Sequence, residues 1–573
     1  MTNLVAVAAT GSLRLFSEAG VLALPDVHLA RTLATLSGDV RDDVALAVAL
    51  TLRAWRTGSP CFDIAQPDIL GADPDAEASP DVTGLTWPAA GDWLSHLRES
   101  PLVDDVQTDT ANGSGGQRPL CLDGNLLYLR RTWDDQAVIV SALAKRWSSA
   151  PPVPPMAQTG QSVVDATMSR WTHIVTGGPG TGKTTAIGEV VRQLAPFFKV
   201  AVAAPTGKAT ARLAQALGPG VASPVTIHKL LGARGPGRGF THNTANPLPA
   251  DLVIVDELSM VSLPLMAALL AALRPHTRLL LVGDPGQLAS VEAGAVLADL
   301  VEAGSTASRF SDEPLVQQLT HVYRHSGALA DLAGAAARGD AEAALAVCDR
   351  GDDAVTLIDR DAAGLTWADL PGVASTIGLT AATARQAALA GDAAGALGAL
   401  DGHRLLCAHR QGPYGVATWA RQVAQLTTPA GVGQNDWWPG KAVLATATAP
   451  DIGVVSGAQG IALAGPSGVG LAFDSQTSDR TGGLLPVGAV PGLASLDAMT
   501  VHKAQGSEFS DVSVVLPPVD SPLLIRPLLY TAMTRARQRL TLIGTRQQLR
   551  TGLATAPQRT SGLAAQLRSS QSL

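Results

Sequence analysis

The strongest chemical signal in the chain is a phosphate-binding loop. Residues 177–184 read Gly-Gly-Pro-Gly-Thr-Gly-Lys-Thr, between an apolar run at 173–176 and a helix-compatible stretch at 185–191. In such a strand–loop–helix arrangement the loop amides and the helix N-terminus point at one anion, while Lys183 can reach the β- and γ-phosphates and the Thr184 hydroxyl can hold Mg²⁺. The pattern predicts a nucleoside triphosphate site, and the alternative is a glycine-rich turn without a ligand.

Two acidic residues and one amide have the chemistry to complete a hydrolytic site. Asp256 and Glu257 follow the apolar run 252–255. Asp256 can hold Mg²⁺ through its water, and Glu257 can take a proton from the attacking water. Gln287 follows a third apolar run, where an uncharged amide can bond both the γ-phosphate and the attacking water. The alternatives are helix capping by the acids and a solvated glutamine in a turn.

These groups need a scaffold that brings them to one edge of a sheet. Short apolar strands at 199–204, 252–255 and 278–282 are each followed by polar or glycine residues and then by a helical pattern. Such alternation predicts an α/β fold with a parallel sheet covered by helices and with ligands at the carboxyl ends of the strands.

Length and composition narrow the class of protein. A chain of 573 residues should contain about three to four domains. No apolar stretch is long enough to span a membrane and no basic segment precedes the first apolar run, so neither a membrane protein nor a signal peptide is expected. The four cysteines lie far apart, which argues against a zinc site or a disulfide framework and fits a reducing cytoplasm. A net charge of −7 means that any contact with nucleic acid must be local.

Composition also divides the chain into regions. The Pro-rich stretch 150–155 predicts a stiff linker after an N-terminal region, in which 28–57 has a helical pattern and 120–129 predicts a tight hairpin. Nothing in that region suggests catalysis, so a docking or packing role suits it better. Residues 431–497 are rich in Gly, Val, Pro and Thr and predict a small β insertion. The polar tail after residue 556 is expected to be disordered.

The ordered set of motifs resembles the RecD family of superfamily 1 DNA helicases, the alpha subunits of exodeoxyribonuclease V (RecBCD). The most specific strings are Leu-Tyr-Thr-Ala-x-Thr-Arg-Ala at 529–536 and Thr-x-His-Lys-x-Gln-Gly at 500–506. The resemblance covers nearly the whole chain after the linker. The segments that carry it follow the family's order and lie at residues 177–185, 204–209, 226–230, 255–260, 283–294, 322–324, 406–416, 499–508 and 530–536.

The resemblance assigns further roles at the nucleotide. Gln161 matches the glutamine that reads adenine, with an exposed helix residue as the alternative. Arg324 and Arg535 match arginines that the second domain brings across the cleft to the γ-phosphate, with a structural ion pair as the alternative. The predicted ATP-site residues are Gln161, Gly177, Gly178, Pro179, Gly180, Thr181, Gly182, Lys183, Thr184 and Thr185, with Thr184 and Asp256 as Mg²⁺ ligands and Lys183, Glu257, Gln287, Arg324 and Arg535 as the catalytic set.

Other motif residues match the segments that line the single-strand track. Hydroxyls, imidazoles and a few cations suit phosphate contacts that form and break at each step. A buried or capping role is the alternative for each of them. The predicted DNA-binding residues are Thr206, Lys208, Thr226, His228, Thr500 and His502.

The chain departs from the family's pattern in two places. Pro285 and Gly286 stand before Gln287, where family members often carry charged residues. Many relatives read Asn-Gly-Asp where this chain has Ser-Gly-Ala at 456–458. The first departure leaves the amide in place, whereas the second puts in doubt any contact of the insertion with the strand or a partner.

The resemblance implies two RecA-like domains that face one ATP. The expected layout is an N-terminal partner-docking domain at 1–150, a first RecA-like domain at 158–308 with a short insertion near 231–250, a second at 309–430 and 498–556, an SH3-like β insertion at 431–497 and a disordered tail at 557–573.

The function implied is that of an ATP-dependent helicase that moves 5′→3′ along single-stranded DNA in double-strand break repair by recombination. Its expected partners are single-stranded and duplex-end DNA and RecB-like and RecC-like subunits in a heterotrimer, with no membrane. No acidic cluster with a following lysine marks a nuclease site, so cutting is expected in another subunit. The alternatives are a free-standing RecD-like helicase, an RNA-directed helicase and a non-motor, ATP-gated assembly subunit.

Overall fold

The computed structural model describes residues 9–73, 79–107, 118–152, 162–218, 223–235, 237–305, 315–321, 327–433, 436–466, 468–474 and 483–571. The strands in these ranges are numbered in chain order: β1 Cys61–Asp63, β2 Val103–Asp105, β3 Leu120–Asp123, β4 Leu126–Leu129, β5 Thr172–Gly177, β6 Val200–Ala204, β7 Val225–Thr226, β8 Leu252–Val255, β9 Arg278–Gly283, β10 Val316–Leu319, β11 Val355–Ile358, β12 His403–Cys407, β13 Ala442–Ala445, β14 Gln459–Gly465, β15 Gly468–Phe473, β16 Leu485–Pro486, β17 Leu493–Ser495, β18 Met499–Thr500, β19 Phe509–Val515 and β20 Ala536–Ile543.

In the N-terminal region, the helices whose whole extent is described pack with a small mixed sheet. The helix Asp42–Arg56 lies at its centre, and every side chain from Val44 to Ala54 is buried. The sheet order is β1-β4-β3-β2, and β3 and β4 form the predicted hairpin around Gly124, whose φ is +61°. The helices of this region are Gly11–Glu18, Leu24–Ser37, Asp42–Arg56 and Ala90–Glu99.

The next unit is a six-stranded sheet with helices on its faces, and all its strand pairs are parallel. Its order is β10-β5-β9-β8-β6-β7. The central strands β8 and β9 are buried along their whole length, as expected for apolar strands covered on both sides. The helices that follow or precede these strands are Ser162–Ser169, Lys183–Leu194, Gly207–Leu217, Ile227–Leu231, Leu263–Ala271 and Val296–Gly304.

A second parallel sheet has five strands in the order β11-β20-β19-β12-β18. Its helices are Ala328–Arg338, Ala341–Cys348, Pro371–Leu389, Ala393–Ala399, Val416–Thr427, Arg526–Met533 and Arg546–Ala554. Between β12 and β18 the chain forms a separate antiparallel sheet in the order β16-β15-β14-β13-β17. The prediction of two parallel-sheet α/β domains is confirmed, and the SH3-like character of the insertion stays a prediction.

Two predicted domain boundaries need correction. β10 pairs with β5, so residues 316–319 belong to the first parallel sheet and not to the second domain, for which 309–430 was predicted. The helix Arg130–Trp147 was predicted within the N-terminal docking domain, but it packs on the helix Leu263–Ala271. Its apolar side chains complete the core of the first parallel-sheet domain.

The prediction of a disordered tail at 557–573 is wrong for most of its length. Residues 563–571 form a helix, and the Leu563 and Leu567 side chains are fully buried. This helix packs between the helices Arg130–Trp147 and Val296–Gly304. Tertiary packing therefore supplies the stability that the polar composition did not predict.

None of the described helices combines the length and the apolar character that a membrane crossing requires.

Candidate nucleotide site between the two parallel sheets

The phosphate loop connects β5 to the helix Lys183–Leu194, as predicted. Gly180 and Gly182 have φ angles of +74° and +85°, which favour glycine in this tight loop. The Lys183 ammonium donates hydrogen bonds to the Gly177 and Gly178 carbonyls over 2.6 and 2.8 Å. The loop thus holds a cation at its mouth, where a bound phosphate would lie.

The loop opens into a cavity of about 780 Å³ between the two parallel-sheet domains. Such a volume suits a nucleotide-sized ligand. Val163 and Val164 line one wall and offer an apolar surface to a base. Charged and polar residues of both domains also line the cavity. Those of the first domain include Lys183, Thr184, Arg212, Asp256, Glu257 and Gln287, and those of the second include Glu508 and Arg535.

Asp256 and Thr184 are the oxygen donors predicted for Mg²⁺, and both line this cavity. Burial raises the pKa of the Asp256 carboxyl, and the neighbouring Glu257 carboxylate raises it further. A carboxylate and a hydroxyl are ligands that Mg²⁺ accepts alongside water and phosphate oxygens. The residues therefore fit the ion, whose positive charge would offset the cost of placing two acids side by side in the cavity.

Glu257 has an unusual backbone conformation. Its φ and ψ are +53° and +44°, and no other non-glycine residue in the described ranges has a positive φ. This left-handed conformation costs about 1 kcal/mol or more for a residue with a Cβ. This conformation lies between the end of β8 and the start of the 3-10 turn Leu258–Met260. Glu257 lines the cavity in this position.

Gln287 is held by an acidic residue that lies three positions before it. Its amide nitrogen donates to Asp284 Oδ2 over 3.0 Å. The same oxygen accepts the Tyr530 hydroxyl, also over 3.0 Å, from the second domain. Gly286 lies under the Tyr530 ring, because a Cβ there would come within 3.1 Å of Cε1. The glycine that departs from the family's pattern thus makes room for this contact.

Arg535 reaches the cavity from the second domain and is 2% exposed. Its guanidinium donates to the Thr531 and Ser507 carbonyls over 2.9 and 3.0 Å and to Thr534 Oγ1 over 3.2 Å. Burial lowers its pKa, yet the guanidinium remains charged. These hydrogen bonds hold a positive charge on the wall opposite the phosphate loop.

An ion pair that no sequence pattern predicted also crosses the cleft. Arg212, on the helix Gly207–Leu217, pairs with Glu508 of the second domain. Glu508 also accepts from Arg537 Nε over 3.3 Å. Both partners of the cross-cleft pair line the nucleotide cavity. The sequence signals were that Arg212 lies three residues after the segment 204–209 and that Glu508 ends the segment 499–508.

Two predicted site residues, Gln161 and Arg324, lie outside the described residues. Their assignments stay predictions.

The three predicted DNA-binding threonines each accept a hydrogen bond from a backbone amide three residues on. Thr206 and Thr226 cap helices, accepting from the Ala209 and Lys229 amides over 3.2 Å each. Thr500 accepts from the Lys503 amide over 3.3 Å. The capping role that was the alternative is therefore present, and contact with DNA stays a prediction.

The other three predicted DNA-binding residues lie in different surroundings. The Lys208 ammonium lies 5.6 Å from the centroid of the Phe509 ring, and burial lowers its pKa to about 8. His228 is exposed beside Phe240. His502 lines a separate cavity, and burial lowers its pKa to about 4. The three side chains therefore differ in burial and in neighbours, and their contact with DNA stays a prediction.

Among the described residues, no group of three or more His, Cys, Asp or Glu side chains is arranged to hold a metal ion.

Comparison with protein families gives three matches along the chain. The family described as the N-terminal domain of RecBCD enzyme subunit RecD matches residues 18–128. An AAA domain matches residues 157–359, and a UvrD-like helicase C-terminal domain matches residues 495–543. In chain order, the three matches fall mainly in the N-terminal region, the first parallel-sheet domain and the second parallel-sheet domain.

Individual proteins align over more of the chain. RecBCD enzyme subunit RecD of Mycobacterium tuberculosis is 38% identical over 98% of this chain and 98% of its own length. The same subunit of Mycolicibacterium smegmatis is 37% identical over 97% of this chain and 99% of its own length. The ATP-dependent RecD2 DNA helicase of Deinococcus radiodurans is 34% identical over 66% of this chain but only 47% of its own length.

Among solved structures, Pif1 helicase from Candida albicans aligns with 16% identity and a TM-score of 0.40, over 70% of this chain and 97% of that one.

Proposed function

This chain belongs to the RecD family of RecBCD enzyme subunits, and we propose that it moves 5′→3′ along single-stranded DNA within a heterotrimer. It is an ATP-dependent superfamily 1 DNA helicase, and its family acts in recombination repair. The nucleotide cavity is the main support for this function, because its walls come from both parallel-sheet domains. A ligand in that position can drive relative motion of the two domains, since it contacts both.

The residues that line the cavity have different roles in the proposed hydrolysis of ATP. The loop amides and Lys183 bind the β- and γ-phosphates, and Thr184 and Asp256 would hold Mg²⁺, which supplies positive charge to the phosphate oxygens. Glu257 accepts the proton of the attacking water, and the Gln287 amide orients that water. Arg535 places positive charge where negative charge develops as the γ-phosphoryl group leaves.

Hydrolysis can be coupled to movement through the contacts that cross the cleft. Arg535, Glu508 and Tyr530 belong to the second domain, and each faces a group of the first. Loss of the γ-phosphate removes the ligand that Gln287 and Arg535 share, which favours opening of the cleft. Repeated closing and opening would carry a single strand past the two domains, with Thr206, Thr226 and His228 as candidate contacts.

Two observations favour a subunit over a free-standing helicase. The alignments with the mycobacterial RecD subunits cover 98% and 99% of those proteins, whereas the alignment with the Deinococcus helicase covers 47% of it. The N-terminal region also matches the family domain of the RecD subunit. We infer that residues 9–129 contact RecB-like and RecC-like partners in a reducing cytoplasm and that nuclease activity resides in a partner.

A non-motor, ATP-gated subunit is the second candidate from another functional class. Such a subunit would need to bind a nucleotide that closes the cleft, but it would not need to hydrolyse that nucleotide efficiently. The presence of Lys183, Glu257 and Arg535 in one cavity argues against it, because a clamp that only binds ATP has no use for a proton acceptor beside the γ-phosphate.

Two assays test the proposed function. ATPase activity should rise when oligo-dT is added, either with the chain alone or with its partners, and absence of stimulation in both cases would rule out the motor. Strand displacement should require a 5′ tail on the duplex and not a 3′ tail. Lys183→Ala should abolish both activities, whereas Lys199→Ala, which changes an exposed lysine, should leave them unchanged.

A further inference from the structure

A second cavity with a buried cation lies away from the nucleotide. We propose that Arg559 and His502 form a phosphate site in this cavity, and that it holds the backbone of the single strand on which the motor moves. This inference rests on the proposed function and adds a strand contact from the C-terminal segment, which none of the recognised motifs includes.

The cavity has a volume of about 440 Å³ and is built by four parts of the chain. His502 lies just after β18 and residues 519–525 lie after β19, so the cavity lies beyond the carboxyl ends of parallel strands, where α/β sheets bind ligands. The first parallel-sheet domain adds Leu288 and Val291. The N-terminal region adds Thr57, Leu70, Ala72 and Ser79, and the C-terminal segment adds residues 555–559.

Arg559 lines this cavity and has one unsatisfied donor. Its Nη2 donates to the Ser290 carbonyl over 2.9 Å, and its guanidinium packs so closely on Gly58 that a Cβ there would lie 3.0 Å from Cζ. Its Nη1 is buried and has no hydrogen-bond partner among the described residues. A buried guanidinium with a free donor is costly unless an anion pairs with it. An anion in the cavity would remove that cost.

The surroundings favour an anion. Burial lowers the pKa of His502 to about 4, and the nearby cations Arg559 and Arg410 add to that shift. A neutral imidazole can still donate one hydrogen bond to a phosphate. Asp520 also lines the cavity, but it is exposed at the rim, where water and salt screen its charge. The interior of the site is therefore positive although the chain as a whole is acidic.

The rest of the lining indicates a nucleic-acid strand and not a free phosphate ion. Val291 is 59% exposed and Val519 is 43% exposed, and both line the cavity with Leu70 and Leu523. Apolar surface beside a cation suits a ligand that carries sugars and bases as well as phosphate. A small anion would leave these side chains in water.

The contact of Arg559 with Ser290 gives the site a link to ATP. Ser290 lies three residues after Gln287 in the loop that follows β9. Its hydroxyl donates to the Glu292 and Gly294 carbonyls over 2.8 and 3.1 Å, which stiffens that loop. One guanidinium therefore holds both the loop of Gln287 and, in our proposal, a phosphate of the strand.

The test measures oligo-dT affinity of the full chain across a range of salt concentrations. Each phosphate contact with a single strand contributes about 0.7 to the slope of log K against log salt. Arg559→Gln should lower the slope by about that amount, whereas Arg559→Lys should retain it. Arg568→Ala, which removes a surface cation paired with Glu302, should behave as wild type. Thermal unfolding of each variant identifies any that fail to fold.

The outcomes separate this inference from the proposed function. Wild-type protein that binds no oligo-dT would contradict the proposed function itself. Salt-dependent wild-type binding with an unchanged slope in folded Arg559→Gln would overturn only the phosphate site. Inorganic phosphate serves as the second probe: if it raises the unfolding temperature of the wild type but not of Arg559→Gln while oligo-dT binding is equal in both, the site holds a free anion and the strand contact is wrong.

Discussion

Tyr530 and Asp284 join the two parallel-sheet domains, because the phenol of Tyr530 donates to Asp284 Oδ2 over 3.0 Å. That oxygen also accepts the amide of Gln287. The Tyr530 hydroxyl lies beside the phosphate loop as well, since a Cβ at Gly178 would be 3.1 Å from it. In the proposed cycle Gln287 turns toward a γ-phosphate, and Asp284 would then lose one donor and depend more strongly on Tyr530. The tyrosine can therefore transmit the state of the nucleotide to the second domain.

Tyr530→Phe should uncouple hydrolysis from domain closure. The phenylalanine ring can pack as the tyrosine ring does, but its hydrogen bond to the Asp284 carboxylate is lost. Hydrogen bonds to charged groups contribute about 1.5–3 kcal/mol. We expect DNA-stimulated kcat to fall about tenfold or more while the KM for ATP changes little. Steady-state ATPase assays with saturating oligo-dT measure both constants.

The chain offers a matched control for this change. The Tyr414 hydroxyl donates to Asp361 Oδ1 over 2.7 Å at the surface, and neither residue lines the nucleotide cavity. Tyr414→Phe removes the same type of bond and should leave kcat unchanged. Equal losses in the two variants would mean that Tyr530 has no special role in coupling.

Substitutions of Glu257 should lower ATPase activity without lowering thermal stability. Glu257→Gln removes the proposed proton acceptor, so turnover should fall about 10²–10⁴-fold while ATP binding is retained. Glu257→Gly removes the acceptor and also relieves the positive φ of +53°, so it should be inactive without any loss of thermal stability. Glu302→Gln, at the surface, serves as the control. A lower unfolding temperature for Glu257→Gly would contradict the strain that we assign to this residue.

The pair of Arg212 and Glu508 should contribute to closing the cleft around ATP. Their side chains are 31% and 8% exposed, so the pair is less screened than a surface pair. In a double-mutant cycle with alanine, we expect a coupling of about 1–3 kcal/mol in kcat/KM for ATP. The exposed pair of Arg550 and Glu342 provides a reference cycle with coupling near zero. Additive effects at 212 and 508 would show that the pair does not act as a unit.

Asp299 should make stability depend on pH. It is 8% exposed, accepts from Ser561 Oγ over 2.9 Å, and burial raises its pKa to about 7. Because the folded pKa lies above the unfolded one, the buried charge destabilises the protein above pH 7, and this cost disappears as the pH falls toward 4. Asp299→Asn should therefore unfold at a higher temperature than wild type at pH 8, with the difference shrinking toward pH 5. Asp353→Asn, at an exposed site, should show no such trend.

The sequence predicted the parts of this protein that depend on local pattern. The strand at 252–255 was predicted with its observed bounds, because its apolar run ends at acidic residues on both sides. The phosphate loop and the hairpin at 120–129 were predicted for similar reasons, since glycine and loop chemistry identify them.

Features that depend on how separate regions meet were not predictable in the same way. Arg212, Tyr530 and Arg559 owe their roles to contacts with residues far away in the chain, and no local pattern marks such partners. The helix at 563–571 has few apolar residues among polar ones, so its composition resembled that of a disordered tail.

The packing of that C-terminal helix leads to the last prediction. Leu567 is fully buried against the helices Arg130–Trp147 and Val296–Gly304, so Leu567→Ala should cost about 2–5 kcal/mol and lower the unfolding temperature. Leu36→Ala, at a side chain that is 79% exposed, should leave that temperature unchanged. Differential scanning fluorimetry compares the two. Equal unfolding temperatures would mean that the helix is not docked in solution, because a detached tail has no cavity to lose.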